Sequence, residues 1–477
     1  MAELPKSTAV SAFFVFRPLG EGKPDCEAGE MKSYLSCSLL AISLLTLMPC
    51  TLSAYEDIEP PQGEEDVDYR QLPGHVYAVA GDLTGDWRKS LIVADLNGDC
   101  YCIFEGNGDG TFKKPTSAPA GKGPVEMITA DFNHDGKTDI AGVNYFDNDI
   151  AVLFGRGDGT FEVRARYGAG TSPVSIAASD FNRDGNTDLA VANLNSESVS
   201  VLMGREDGSF SQAHDYSTGR RPRSVVCADF NKDGFVDIAV SNSEDGSISL
   251  LMGAGDGTFT QGAVYDGFDG PRALRAADFD KDGFADLAVA EWNSKTVCVL
   301  KGNGDGTFSK TDRTFAGNTP ASLTVMDINR DGWDDIIISN QNEGNVVALL
   351  GKGGCTFEPR RELGTWGTPR IVAAGDFNGD GKRDLALVDR YSNEVAMILA
   401  GELKDLDVDV NDPAMGTVRP ERGLYMPGAE VTLKALPGSG YAFAGWSGNV
   451  QDPNSAATLI KMDAKESVTA IFMPAPE

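Results

Sequence analysis

Histidine is nearly missing from this chain, with three in 477 residues. His134 sits inside an acidic loop, His214 on a strand-like run, and His75 in a column otherwise held by loop prolines. No Ser/His/Asp or Cys/His arrangement and no HExxH motif is visible, so nucleophilic hydrolysis and zincin chemistry have no candidate residues. Positive charge is also scarce. The 41 Lys and Arg stand against 71 Asp and Glu, a formal net charge of −30, with no Lys/Arg-dense patch. That excludes nucleic acid and anionic membrane as partners. Among the eight cysteines there is no CxxC pair and no zinc spacing. Beyond residue 54, Cys100 and Cys102 lie two apart on one strand, and Cys227, Cys298 and Cys355 fall in different repeats, so all five are read as free thiols. No apolar pattern of helical period persists along the body of the chain.

Long hydrophobic runs are limited to one of about ten residues, Leu39 to Met48, too short to span a bilayer. With Met31-Lys32 before it and Ser53-Ala54 after it, the segment 31–54 reads as a secretory signal peptide, with translation starting at Met31. An alternative is a lipoprotein signal with Cys50 acylated, against which Pro49 stands in the preceding position. Secretion or display on a bacterial cell surface is the expected localisation.

What is abundant is glycine, 55 residues, and a fixed period. The nonapeptide DFNRDGNTD at 180–188 recurs with starting aspartates Asp131, Asp180, Asp229, Asp278, Asp327 and Asp376, each 49 residues from the next. A degenerate copy begins at Asp82. Around each copy stand a short small-residue strand, the acidic loop, an apolar run such as DLAVAN, a polar turn, a second apolar run, a Gly-Asp-Gly turn and an outer run. Four strands per repeat of this length is the unit of a β-propeller blade, and seven lead strands predict an all-β, seven-bladed propeller of four-stranded blades. The seventh repeat has three strands of its own. Residues 63–69 share the outer-strand register through Tyr69 with Tyr167, Tyr216 and Tyr265, so they are expected to close the ring. The predicted organisation is 1–54 extension and signal, 55–401 propeller, 402–411 linker, and 412–473 a small β domain.

The acidic nonapeptide paired with the DGTF turn (GRGDGTF at 155, GAGDGTF at 253) resembles the FG-GAP/VCBS repeats of secreted bacterial proteins, related in fold to the integrin α head. The segment GTVRPERGLYMPGAEVTLKALPGSGYAFAGWSG at 416–448 resembles the divergent internalin-type B repeat, a bacterial repeat domain, with Trp446 expected in its core.

Within each loop, oxygen side chains fall at positions 1, 3, 5 and 9, with glycine at position 6. The six sets are Asp131, Asn133, Asp135, Asp139; Asp180, Asn182, Asp184, Asp188; Asp229, Asn231, Asp233, Asp237; Asp278, Asp280, Asp282, Asp286; Asp327, Asn329, Asp331, Asp335; and Asp376, Asn378, Asp380, Asp384. Hard oxygen donors around a sharp glycine turn suit Ca²⁺. Six structural calcium ions are therefore expected, one in each of blades two to seven. The Asp82 copy lacks the glycine and the last aspartate and is expected to be empty or weak. Asp95-x-Asn97-x-Asp99 falls on the second-to-third-strand turn and reads as a turn only.

Fold alone fixes no activity. The reading carried forward is a monomeric extracellular binding or adhesion protein, not an enzyme, with a glycan or protein ligand on the face opposite the calcium loops. Arg223, Arg272 and Arg370, just after the loop proline, together with Tyr145, Phe146, Trp292, Trp366 and Tyr391, are its candidate contacts. A polysaccharide lyase or hydrolase and a purely structural spacer are the alternatives.

Overall fold

The structure is a computed structural model describing residues 75–365, 369–389, 395–399, 403–425 and 427–475. The signal segment, the 63–69 closing strand, Trp366 and Tyr391 lie outside the described residues. No helix among the described residues is long and apolar enough to cross a membrane.

Residues 75–398 form seven consecutive antiparallel sheets. Their lead strands are His75–Gly81, Pro124–Ala130, Pro173–Ser179, Pro222–Ala228, Pro271–Ala277, Pro320–Met326 and Pro369–Gly375. Proline opens six of the seven, a strand end where its missing N–H costs no ladder bond. The pairing register slips beside each of these prolines. Second strands, such as Asp188–Asn193, are buried along their whole length because sheets cover both faces. That is why DLAVAN is a run without polar alternation. The outer strand Phe161–Gly168 is mostly exposed, and its composition alternates accordingly.

The apolar cores lie between neighbouring sheets. One cluster joins Ala190 and Val201 of the third blade to Val225 and Val240 of the fourth, and another joins Leu91 and Phe104 of the first to Phe377 and Val388 of the seventh. An edge-to-face phenylalanine pair recurs at these interfaces, linking loop position 2 of one blade to the DGTF-type turn of the next. The centroid distances are 5.6 Å for Phe132–Phe210, 5.2 Å for Phe181–Phe259, 5.5 Å for Phe230–Phe308 and 5.7 Å for Phe279–Phe357. Phe377 of the seventh blade meets Phe112 of the first in the same way at 5.8 Å. The lead strands also touch in cyclic order, Pro369–Gly375 against His75–Gly81 included. The ring is therefore closed through the first and seventh sheets. Among the described residues the seventh sheet has three strands, Pro369–Gly375, Asp384–Asp389 and Val395–Ile398.

The tyrosine column has a structural role. The hydroxyls of Tyr216 and Tyr265 accept the backbone N–H of Phe259 and Phe308, at 3.3 and 2.9 Å, one blade ahead.

One boundary is corrected. The stretch 402–411, read as a linker, contains the strand Lys404–Val410. It pairs with Arg422–Tyr425 and, in parallel, with Glu466–Pro474. Alternation in Leu406, Val408 and Val410 carries it into the core of the C-terminal module, beside Val418, Leu433, Trp446 and Phe472. The indole Nε1 of Trp446 donates to the Ser455 carbonyl at 2.8 Å. The module docks on the sixth blade. Glu362 of strand Arg361–Thr365 bridges to Gly423, Leu424 joins a core with Leu363 and Leu350, and the buried guanidinium of Arg361 pairs with Asp405 at 2.7 Å and with Glu358 at 3.0 Å. Replacing Arg361 by Ala strands these acids beside an apolar seam. The expected loss is about 1–3 kcal/mol, seen in calorimetry as a lower melting temperature for the module, while the ring transition stays in place.

Candidate functional site

The acidic loops are built from the same local rules six times. Glycine at position 6 takes a left-handed φ of +81° at Gly136 and +88° at Gly185, which turns the chain back on itself. The position-1 carboxylate caps that turn, accepting the position-6 N–H at 2.8 Å in Asp131–Gly136 and 2.9 Å in Asp180–Gly185. The position-3 side chain accepts the position-5 N–H, and position 5 accepts the position-7 N–H, as in Asn182–Asp184 at 3.0 Å and Asp184–Asn186 at 2.8 Å.

Position 9 behaves differently from the other three. Asp139, Asp188, Asp237, Asp286, Asp335 and Asp384 are fully buried. One oxygen accepts the N–H of position 2, at 2.8 Å for Phe181 to Asp188. In blades two to six the other accepts the N–H of the glycine that ends the third strand, at 2.6 Å for Gly204 to Asp188. The position-9 carboxylate thus pins the acidic loop to the DGTF-type turn of its own blade. That glycine has no room for a side chain, since a Cβ on Gly204 would lie 2.2 Å from the Thr187 carbonyl oxygen. Burial pushes Asp139, Asp188 and Asp237 up to about 6 and Asp335 to about 7, with the two backbone donors opposing and the neighbouring acids adding to the rise.

The donor set fits a hard divalent cation. In the fourth and sixth blades Oδ1 of Asp229 and of Asp327 is buried with no hydrogen-bond partner, a costly state for a carboxylate that a cation would relieve. In the fifth blade, oxygens of Asp278, Asp280 and Asp282 come within 4.8 Å of one another. This loop carries an extra acid, Asp280, and recruits its own cation. Lys301 Nζ bonds Asp280, and Asp282 at 2.9 Å. Buried Cys355, standing in the sixth blade where other turns have glycine, points its thiol at Asp286, at 3.3 Å. The degenerate first loop folds as a turn, with Asp82 accepting the N–H groups of Thr84, Gly85 and Trp87. Trp87 replaces the position-6 glycine at φ +71° and is 88% exposed. Asp95 likewise caps its own turn through the N–H groups of Asn97 and Gly98.

A second device on this face was not foreseen from the sequence. The position-4 residue of one loop reaches the position-7 residue of the next, 52 residues on. His134 Nε2 meets Asn186 Oδ1 at 3.2 Å. Arg183 lies 4.3 Å over the Phe235 ring, Lys232 5.8 Å over Phe284, and Lys281 4.5 Å over Trp333. Arg183 and Lys281 also bond the carbonyls of Gly234 and Gly332. A column of position-4 cations followed by a column of position-7 aromatics was the available signal.

On the opposite face the structure brings some predicted contacts together and separates others. Arg272 stacks 3.6 Å over Trp292. Tyr145 and Phe146 pack edge to face at 5.2 Å, and Phe146 is exposed. Arg223 Nε donates to Ser243 Oγ at 3.2 Å, and the Arg370 carbonyl accepts from Ser339 Oγ at 2.8 Å. Other arginines at this end are held by acids: Arg166 by Asp147, Arg220 by Asp245, and Arg360 by Glu343. The five described cysteines are free thiols.

The raised position-9 groups make a prediction for the calcium-free protein. A carboxyl that keeps its proton to about pH 6 in the fold, against an ordinary value of 3.8, stabilises the fold below about pH 4 and loses that contribution as the pH rises through 6 to 7. In chelator, the melting temperature is therefore expected to fall between pH 4 and pH 7.5. A divalent cation held by these loops would flatten this profile, because carboxylates ligate metal in the ionised form.

The repeats and the C-terminal module each match a known family. The FG-GAP-like repeat family matches residues 82–142, 131–191, 180–240, 230–289, 278–338 and 327–387, and the divergent InlB B-repeat domain matches 406–476. No curated protein matches. Among solved structures, BBS1N in complex with ARL6DN is similar with a TM-score of 0.52 at 14% identity, over 69% of this chain and 94% of that one. A functionally unknown protein from Desulfotomaculum acetoxidans has a TM-score of 0.50 at 12% identity, over 65% and 91%. At such identity these likenesses show the fold alone. With six consecutive matches spanning more than half of its length, the chain belongs to the FG-GAP-like repeat family and carries a divergent InlB B-repeat domain after its propeller.

Proposed function

We propose that this is a secreted or cell-surface binding protein, a monomer whose propeller is stiffened by calcium and takes an extracellular glycan or protein on the face opposite the acidic loops. The observation that carries the calcium reading is the pair of buried, unpartnered carboxylate oxygens at position 1, Asp229 and Asp327, in loops whose other oxygens are tied to the backbone. Positions 1, 3 and 5 would hold the ion. Position 9 would add an oxygen lone pair not used by its two N–H donors. When bound, Ca²⁺ supplies charge neutralisation and loop rigidity, with affinities of about 10⁻⁴–10⁻³ M as in other extracellular modules. The residues of the chain do the rest: their backbone N–H bonds to positions 1, 3 and 5 set the loop shape.

The Arg272–Trp292 stack supports a ligand role for the opposite face. A guanidinium stacked on an indole sets a cation beside an aromatic face, a pairing that an acidic sugar would use, and exposed Phe146 adds aromatic surface on the same face of the ring.

Two outcomes are expected. Melting temperature rises with Ca²⁺ and falls in chelator, and this shift shrinks in Asp184→Ala and Asp233→Ala. If neither variant alters the shift, the ligand assignment fails. On a glycan array the wild-type protein binds an acidic sugar, and Trp292→Ala weakens that binding by about tenfold. A variant that binds as tightly as wild type would move the ligand off this face.

A further inference from the structure

The inter-loop latch joins the second to third, third to fourth, fourth to fifth and fifth to sixth blades, and then breaks. At the sixth-to-seventh interface the position-4 residue is Arg330, at left-handed φ (+63°) like its equivalents and a cation like those of the third to fifth blades. The position-7 residue it would meet is Lys382, neither an aromatic ring nor an amide. Cation faces cation, and the two loops enclose a cleft of about 460 Å³ in place of a stacked pair. Arg330, Lys382 and Arg383 line it, with Asp327, Asp334 and Asp380. Lys382 stands 3.5 Å from Asp380. Arg330 and Arg383, both exposed, make no hydrogen bond or ion pair from their side chains among the described residues, and Arg383 is near enough to Asp334 to oppose the rise that burial gives its carboxyl.

We infer that this cleft, between the acidic loops of the sixth and seventh blades, is a binding site for an oxyanion carried on an acidic sugar, bridging Arg330 and Arg383 where the other blades have a latch. The chemistry is set by what is left over. Two guanidiniums with open N–H forks match the paired oxygens of a carboxylate or sulfate. The volume falls in the range of small-molecule sites and exceeds what a bare ion fills, and the lining is charged, suited to a hydroxylated ring. Three lining acids balance the three cations, so the empty-loop protein presents no net attraction. Two of those acids, Asp327 and Asp380, belong to the loops assigned to calcium, and metal there would leave the guanidiniums in excess. Binding is thus expected to require Ca²⁺, a step that rests on the calcium reading above. This site lies on the loop face and is separate from the Arg272–Trp292 surface.

The test uses the full chain carrying Trp292→Ala, which takes the opposite face out of the readout, with trigalacturonate, inorganic sulfate and a neutral trisaccharide as probes in isothermal titration, with excess Ca²⁺ and then with chelator. Melting curves on the same samples report calcium occupancy independently. The expected result is trigalacturonate binding with Ca²⁺ only, weak sulfate binding, and none of the neutral sugar. Arg330→Ala with Arg383→Ala should weaken binding by at least about tenfold and leave the calcium-dependent melting shift unchanged. Lys382→Phe should restore the latch, letting Arg330 stack as Arg183 does on Phe235, and abolish binding without lowering the melting temperature. Sulfate binding as tightly as the sugar would reduce the site to a free-anion site. Unaltered trigalacturonate binding when either set of changes is added to the Trp292→Ala parent, or no binding by that parent while calcium still raises its melting temperature, overturns this inference alone. Absence of the melting shift overturns the calcium reading instead.

Discussion

Every blade depends on the same constraint, which is that a carboxylate taken out of water must find donors or a cation. The loops meet it in two ways that the repeated motif hides. Position 9 is satisfied by the chain itself: two backbone N–H groups, from the loop and from the glycine ending the third strand, close on one buried aspartate. Positions 1, 3 and 5 are only partly satisfied, and at Asp229 and Asp327 one oxygen has nothing. A single spacing therefore combines a built-in structural pin with an incomplete cage. The pin explains why aspartate at position 9 and glycine after the third strand recur together in blades two to six, and the cage explains why acids that repel one another are kept.

The symmetry of the repeats is broken where this accounting changes. In the fifth blade the additional acid Asp280 comes with Lys301, which lies where the third and fourth blades have Met203 and Met252. In the sixth blade the turn glycine becomes Cys355, and its thiol leans on Asp286 of the fifth. Between the sixth and seventh blades the stacked latch gives way to a cleft. These departures cluster on neighbouring blades, so one sector of the loop face differs chemically from the rest.

Much of this was legible in the sequence because a period of 49 residues averages out local ambiguity. Strand Asp188–Asn193 and its equivalents appear as unbroken apolar runs followed by turn chemistry, and the tyrosine column marked the outer strands. What stayed hidden depends on contacts between repeats. The part of position 9 as a structural pin shows only when the fold brings Gly204 to it from 16 residues away. The partnership of Arg183 with Phe235 needs the angle between adjacent blades. Strand Lys404–Val410 was hidden for a different reason: its acidic alternation, KDLDVDV, reads as a linker when the eye weighs charge above the period-two pattern of Leu406, Val408 and Val410. On the opposite face, Trp366 and Tyr391 lie outside the described residues, and two of the arginine column divide between a ring, at Arg272, and a hydroxyl, at Arg223.

The docking of the C-terminal module on the sixth blade has a mechanical consequence. Among the described residues its strand pairing with the ring is one parallel bridge at Glu362 and Gly423, reinforced by Arg361 and by Leu424 in the apolar seam. Within the module, by contrast, Lys404–Val410 and Glu466–Pro474 run side by side in the same direction over five paired residues. Tension applied through the last strand would load that ladder in shear, where several bonds resist at once, and would open the lone bridge first. The contact would thus act as a fuse, letting the module swing away on its tether while the ring keeps its shape.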